Sequence, residues 1–200
     1  AECCATMERM EEHFFLINPV KHDGFFVTQI DPPMKGDKTN LDYYKAQLQL
    51  KVVEPMRDRL GIDVSDEAMR KAIERFNELC RVITEIGNYR KLDNPPITGY
   101  EFHVIQLVSE VCPHELILPY LKETLEEIKT RKPEKEFPYR ARVVVVGSEI
   151  DDPNLTKLIE GCGALVVSDR YCFGSTPGRE VIELTEDEDA LTQICRHYME

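Results

Sequence analysis

Between Asp66 and about Arg90, apolar residues recur every three or four positions: Met69, Ala72, Ile73, Phe76, Leu79, Cys80, Ile83 and Ile86. This spacing predicts a long core helix with one continuous buried stripe. Ser65 is placed as its N-cap, Asp66 and Glu67 suit the positive end of the helix dipole, and Val64 can staple onto Met69. Upstream, Asn40 is placed to cap a helix bearing Leu41, Tyr44 and Leu48, which Pro55 kinks or divides. Pro95-Pro96 precedes another apolar helix, Glu101 to Val111. Pro113 then opens a helix with Leu116, Ile117, Tyr120, Leu121, Leu125 and Ile128 expected on one face.

The period changes towards both ends. Residues Glu2 to Phe15 read as a helix, and Phe25 to Ile30 as a short strand that stops at Asp31-Pro32-Pro33, because proline cannot donate to a sheet ladder. Arg142 to Val146 reads as a strand whose unbroken apolarity implies burial on both faces, as in a parallel sheet. Asp152 and Pro153 open a helix expected to turn Leu155, Leu158 and Ile159 to the sheet. Ala164 to Ser168 is a second strand, which completes a βαβ unit. A Gly/Pro-bearing loop, Asp169 to Gly178, follows, and a last helix is expected from about Asp187 to Tyr198. The fold class expected is therefore α/β: a helical middle region between parts of two flavodoxin/Rossmann-like parallel-sheet domains. The boundaries are 1–34 for the end of a first α/β domain, 35–135 for a helical domain and 136–200 for the start of a C-terminal α/β domain. Ala1 in place of methionine, and an opening inside a helix, indicate a fragment of a longer chain.

Composition narrows the function. Of 200 residues, 42% are hydrophobic and 31% charged, which suits a globular protein and not a disordered one. No unbroken apolar run exceeds the four residues of Val143 to Val146, so no segment is expected to span a bilayer, and no signal peptide is visible. The net charge of −12 disfavours a general nucleic-acid binder. A soluble, cytoplasmic protein is expected.

The cysteines carry the candidate chemistry. No CxxC pair or ferredoxin-type run occurs among Cys3, Cys4, Cys80, Cys112, Cys162, Cys172 and Cys195, so any metal site must draw on cysteines distant in sequence. Cys80, Cys162 and Cys195 sit on apolar helical positions and read as small buried hydrophobes, and Cys112 reads as structural. Cys172 differs, lying in a loop past a strand end, where a thiolate can reach a ligand. Cys3 and Cys4 begin a helix whose dipole favours a thiolate, and adjacent cysteines do not both easily face one ion. The loop Gly147-Ser148-Glu149-Ile150-Asp151-Asp152 also stands at a strand end, but it lacks a GxGxxG or Walker pattern and its acids would repel phosphate. The histidines show no HExxH spacing, and no GxSxG elbow occurs.

The stretch from Arg142 to Ser175, RVVVVGSEIDDPNLTKLIEGCGALVVSDRYCFGS, resembles the C-terminal domain of the benzoyl-CoA reductase and 2-hydroxyacyl-CoA dehydratase family. LDYYKAQL from Leu41, IDVSDEAMRKAIERFNEL from Ile62, NPPITGYE from Asn94 and EDALTQICRHYM from Glu188 are similar to that family in the same order. The resemblance implies a subunit carrying a [4Fe–4S] cluster on cysteines distant in sequence. Cys172 matches the last ligand, in the Asp-x-x-Cys-x-Gly context of Asp169 and Gly174. Cys4 matches the middle ligand, ahead of the strand exit at Asp31-Pro32-Pro33, with Cys3 as the competing assignment, and the remaining ligand would lie upstream of Ala1. Ser175-Thr176-Pro177 stands where family members often carry an arginine. The GSEIDDP form leans towards the benzoyl-CoA reductase branch. The implied activity is one-electron reduction of an acyl-CoA thioester, an oxidoreductase or lyase chemistry of anaerobic metabolism. The implied partners are an acyl-CoA substrate, a homologous second subunit and an ATP-hydrolysing activator that donates electrons. The rival readings are a cluster-free accessory or binding subunit of the same fold and a nucleotide-binding α/β protein.

Overall fold

A computed structural model describes residues 28, 30–33, 35–133, 139–147, 150–171 and 180–199. The expected helix at Glu2 to Phe15 and nearly all of the strand at Phe25 to Ile30 lie outside the described residues. The architecture is α/β, mostly helical, with a parallel two-stranded sheet among the described residues. It divides into two compact units, residues up to Ala72 together with those from Ile182 onwards, and residues Ile73–Val181.

In the first unit, helix α1 (Lys38–Leu48) is capped by Asp37, whose carboxylate accepts from the Asn40 backbone N–H at 3.0 Å. Asn40, expected as the cap, lies inside the helix and donates instead through both its backbone and its side chain. Pro55 does divide the helical run. Having no N–H, it cannot bond the carbonyl four residues back, and the chain passes through a π-helical turn, Gln49–Val53, into helix α2 (Glu54–Leu60). Helix α3 (Asp66–Asn88) begins with Ser65 Oγ accepting from Ala68 N at 3.3 Å. Val53, Leu191 and Cys195 form a small core with Leu41, Tyr44, Leu48, Val64 and Met69 against it, so the staple residues Val64 and Met69 join one cluster. Leu191 and Cys195 come from helix α7 (Ala190–Met199), whose first turn is capped by Asp189 and by Asp66.

The second unit holds the larger core. The remainder of α3 buries Leu79, Ile83 and Ile86 of its predicted stripe, and Val82 beside it, against Phe102 of helix α4 (Gly99–Val111) and Ile117, Leu121, Leu125 and Ile128 of helix α5 (His114–Thr130), whereas Ala72, expected in the stripe, is exposed. Each such fully buried side chain is worth about 1.5–3 kcal/mol of transfer free energy. Leu116 and Tyr120, expected on the same face of α5, are exposed. The fully buried positions follow the 117–121–125–128 spacing, and the two outliers sit one step off that line.

Strand β1 (Ala141–Val146) pairs in parallel with β2 (Ala164–Arg170), joined by helix α6 (Pro153–Gly161), which gives the expected βαβ unit. Two expectations need correction. Val144 and Val146 are exposed, so β1 is not covered on both faces among the described residues. On α6, Thr156 is buried while Leu155 and Leu158 are exposed, so the inward side of this helix is polar.

Candidate functional site

Ligands of open α/β sheets bind beyond the carboxyl ends of the strands. At that end of the second unit the structure assembles a buried polar cluster. Asp169, on β2, pairs with Arg90 at 2.7 Å (Oδ2 to Nη1), and the two side chains are 1% and 4% exposed. Arg90 lies on the 3-10 turn Tyr89–Lys91 that ends α3. Its guanidinium carbon sits 3.7 Å from the centroid of the Phe102 ring, a cation–π contact. Phe102 can approach because residue 87 is glycine: a Cβ there would stand 2.8 Å from Phe102 Cζ. Burial pulls the Arg90 pKa below its ordinary value, and the Asp169 carboxylate opposes the shift. An arginine nonetheless stays protonated in proteins, so the guanidinium keeps its charge.

His103, on α4, is 1% exposed. Its Nε2 lies 3.1 Å from the Ile150 carbonyl oxygen and its Nδ1 lies 2.9 Å from Thr156 Oγ1. A carbonyl only accepts, so Nε2 carries the proton and, in the neutral ring, Nδ1 accepts from the Thr156 hydroxyl. Burial lowers the His103 pKa, with the Ile150 carbonyl and the Asp169 charge opposing, which favours that neutral form. Tyr171, directly after β2, is buried, with its ring centroid 5.1 Å from that of His103. Burial first, then the Asp169 charge, pushes the Tyr171 hydroxyl up to about 12, while a hydrogen bond with Thr156 opposes them. One histidine thus ties α6 to the chain beyond β1, and Thr156 ties both to the chain beyond β2.

Glu160 locks the same region from below. Its Oε1 accepts from Gly99 N at 2.8 Å and Val166 N at 3.1 Å, and its Oε2 accepts from Tyr100 N at 3.1 Å. The start of α4 therefore holds an internal carboxylate, which matches the positive end of its dipole. Thr98 and Glu101 complete it with a reciprocal capping box. Gly99 is required by close approach, since a Cβ there would lie 2.6 Å from Val166 Cβ and 2.8 Å from its carbonyl oxygen.

Chemically, the cluster offers a fixed ion pair, a neutral histidine and a protonated tyrosine, all held in one hydrogen-bonded frame. Cys172, the first of the two proposed ligands, follows Tyr171 in sequence and lies outside the described residues, as do Cys4 and its rival Cys3. Among the described residues no three His, Cys, Asp or Glu side chains form a group able to hold a metal ion. Cys80 and Cys195 are buried as expected, and burial pushes the Cys195 thiol up to about 11, which disfavours a thiolate. Cys112 is half-buried against the larger core. Cys162 is exposed, which corrects its expected burial: it is the C-cap of α6, past the last inward-facing position. Of the loop after β1, Ile150 supplies the carbonyl to His103, Asp152 caps α6 through Asn154 N at 2.9 Å, and Ser148 and Glu149 lie outside the described residues.

Arg90, His103, Thr156 and Tyr171 are not evident as site residues from motif spacing. One signal does mark Arg90: it falls four residues after Ile86, in phase with the α3 stripe, where a charge demands a buried partner. His103, amid Phe102, Val104 and Ile105, carries the same signal on α4.

No match was found among curated proteins. The family model for the 2-hydroxyglutaryl-CoA dehydratase D-component matches residues 2–200. The family expected from the residues and the family matched across almost the whole chain agree: this protein belongs to the 2-hydroxyglutaryl-CoA dehydratase D-component family, and so is a component of a 2-hydroxyacyl-CoA dehydratase with a partnering subunit.

Proposed function

We propose that this chain is the cluster-carrying component of an enzyme that reduces a CoA thioester by one electron, of the 2-hydroxyacyl-CoA dehydratase or benzoyl-CoA reductase type. Its cofactor is a [4Fe–4S] cluster held in part by Cys172 and by Cys4. Bound, such a cluster supplies an electron at low potential, set by its charge, its hydrogen bonds and its exposure. The chain's own part is to present the thiolates, exclude water and hold the strand ends still. Its partners are an acyl-CoA substrate, a homologous second subunit and an ATP-hydrolysing activator that donates the electron. In this reading the strand ends belong to flavodoxin/Rossmann-like domains flanking a helical domain of residues 35–135, and the protein works in an anaerobic cytoplasm.

The observation that carries this reading is the family match over residues 2–200. It is supported by the buried frame at Asp169 and Tyr171, which leads straight into Cys172. Full-length protein, reconstituted with iron and sulfide without oxygen, should bind about four irons per chain, as the cluster type implies. Cys172→Ser should lose most of that iron, whereas the exposed Cys162→Ser should keep it. Iron content unchanged by Cys172→Ser rejects the assignment, and a fully folded wild type with no iron favours the cluster-free accessory subunit.

A further inference from the structure

At the strand ends, three buried side chains and one backbone carbonyl form a single directed series of hydrogen bonds. The Ile150 carbonyl only accepts, so His103 Nε2 carries the ring hydrogen and donates to it at 3.1 Å. Nδ1 is then an acceptor, and the one hydrogen of the Thr156 hydroxyl is committed to it at 2.9 Å. Tyr171 shares a hydrogen bond with Thr156, so the phenol is the donor in that bond. Three donors meet three acceptors. His103 and Thr156 are each 1% exposed and Tyr171 3%, so water does not stand in for a lost partner.

The direction of this series depends on one proton. Protonating Nδ1 adds a donor and removes an acceptor, so Thr156 Oγ1 must receive the new hydrogen. The threonine hydrogen then turns to Tyr171 and displaces the phenol hydrogen, or it stays without an acceptor. Either way one hydrogen of the series loses its partner, and a charge is placed in a buried site. The surrounding groups do not cancel this. Burial is the largest influence on the ring and disfavours the cation; the Ile150 carbonyl, Asp169 on β2 and Asp152 ahead of α6 favour it, and Arg90 again opposes it. The Tyr171 hydroxyl, pushed up to about 12, stays neutral throughout.

We propose that His103 is an acid-sensitive latch. Neutral, it holds the Ile150 segment, the first turns of α6 and the end of β2 together; protonated, it releases them while the helical core of the unit stays folded. That core, with Ile86, Leu121, Leu125 and Ile128, is apolar and takes no part in the series. The latch therefore governs the end of the sheet at which open α/β folds take their ligands. It stands independently of the cluster reading.

The test is amide exchange of the full chain, followed residue by residue by NMR between pH 7 and pH 5 and corrected for the intrinsic pH dependence of exchange. The reporters are Gly147, whose N–H donates to the Arg170 carbonyl across the strand ends at 3.1 Å, and the α6 amides of Lys157 and Leu158. Their protection should fall up to about tenfold per pH unit below about 6.5, the slope of one proton, and level off where the native His103 ring titrates. The amides of Ile86 and Leu125 should keep their protection, and His103→Gln should abolish the pH dependence at the reporters. Reporter protection that is unchanged from pH 7 to pH 5, or that falls equally at Ile86 and Leu125, overturns the proposal. So does a fall in His103→Gln as steep as in wild type. Where His103→Gln does not fold, wild type alone decides: a native His103 that titrates at or above about 6.5, or whose ring nitrogen shifts place the hydrogen on Nδ1, overturns it.

Discussion

Glu160→Ala is the sharpest probe of how the second unit is assembled. One carboxylate accepts from three backbone N–H groups, those of Gly99, Tyr100 and Val166. Gly99 and Val166 are buried, so water cannot replace the lost acceptor there, whereas Tyr100 is half-buried and can be hydrated. Leaving a buried donor unpaired costs about 1–3 kcal/mol, which gives about 2–6 kcal/mol for the two. Loss of the anion from the start of α4 adds about 0.3–1 kcal/mol. The expected destabilisation is about 2–7 kcal/mol. Glu160→Gln keeps one accepting oxygen but turns an NH2 towards another donor, and should cost roughly half as much. Gly99→Ala attacks the same joint by overpacking and should cost about 1–3 kcal/mol. The chain has no tryptophan, so urea unfolding is best followed by far-ultraviolet circular dichroism and tyrosine fluorescence, with amide exchange at Gly99 and Val166 as the local readout. A Glu160→Ala protein within about 0.5 kcal/mol of wild type, with those amides still protected, would refute the reasoning.

Three further outcomes follow from titration and burial. The folded pKa of His103 is lowered, so its contribution is complete above the unfolded value of about 6.5 and is lost as pH falls below it. The urea midpoint of wild type should drop between pH 7 and pH 5, and His103→Gln should flatten that drop; an equally steep fall in the variant contradicts the assignment. Burial opposes ionisation of Asp189, but hydrogen bonds from Lys45 and Thr192 hold it at about 2. Its stabilisation is therefore present above about pH 4 and lost as pH falls towards 2, and screening of this half-exposed group limits it to about 0.5–1 kcal/mol. An NMR titration should show the Asp189 pKa rising in Lys45→Met, and no rise would count against the pair. Finally, among the described cysteines iodoacetamide at pH 8 should label Cys162 before Cys112 and leave Cys80 and Cys195 protected in native protein, as peptide mass mapping would show.

Several elements were legible because their cause is local. The α3 stripe, the Ser65 cap, the Val64–Met69 staple, the break at Pro55 and the βαβ unit all follow from side-chain spacing and backbone chemistry within a few residues. Asn40 failed as a cap because Asp37, a stronger acceptor, stands three residues earlier and takes the Asn40 N–H. Leu155 and Leu158 failed as the inward face of α6 because that side meets Tyr171 and His103, which require the Thr156 hydroxyl.

The order of amino acids alone determined the α/β class, the core helix and the family, since periodicity, caps and ordered motifs are properties of the chain itself. The joining of Arg90 to Asp169, of His103 to Thr156 and Ile150, and of Glu160 to three backbone amides was decided only by the tertiary structure. These partners lie 79, 53, 47 and up to 61 residues apart along the chain. No local rule matches a buried charge with its partner over such separations. That pairing is settled when desolvation leaves each polar group only the neighbours that the packed core brings to it.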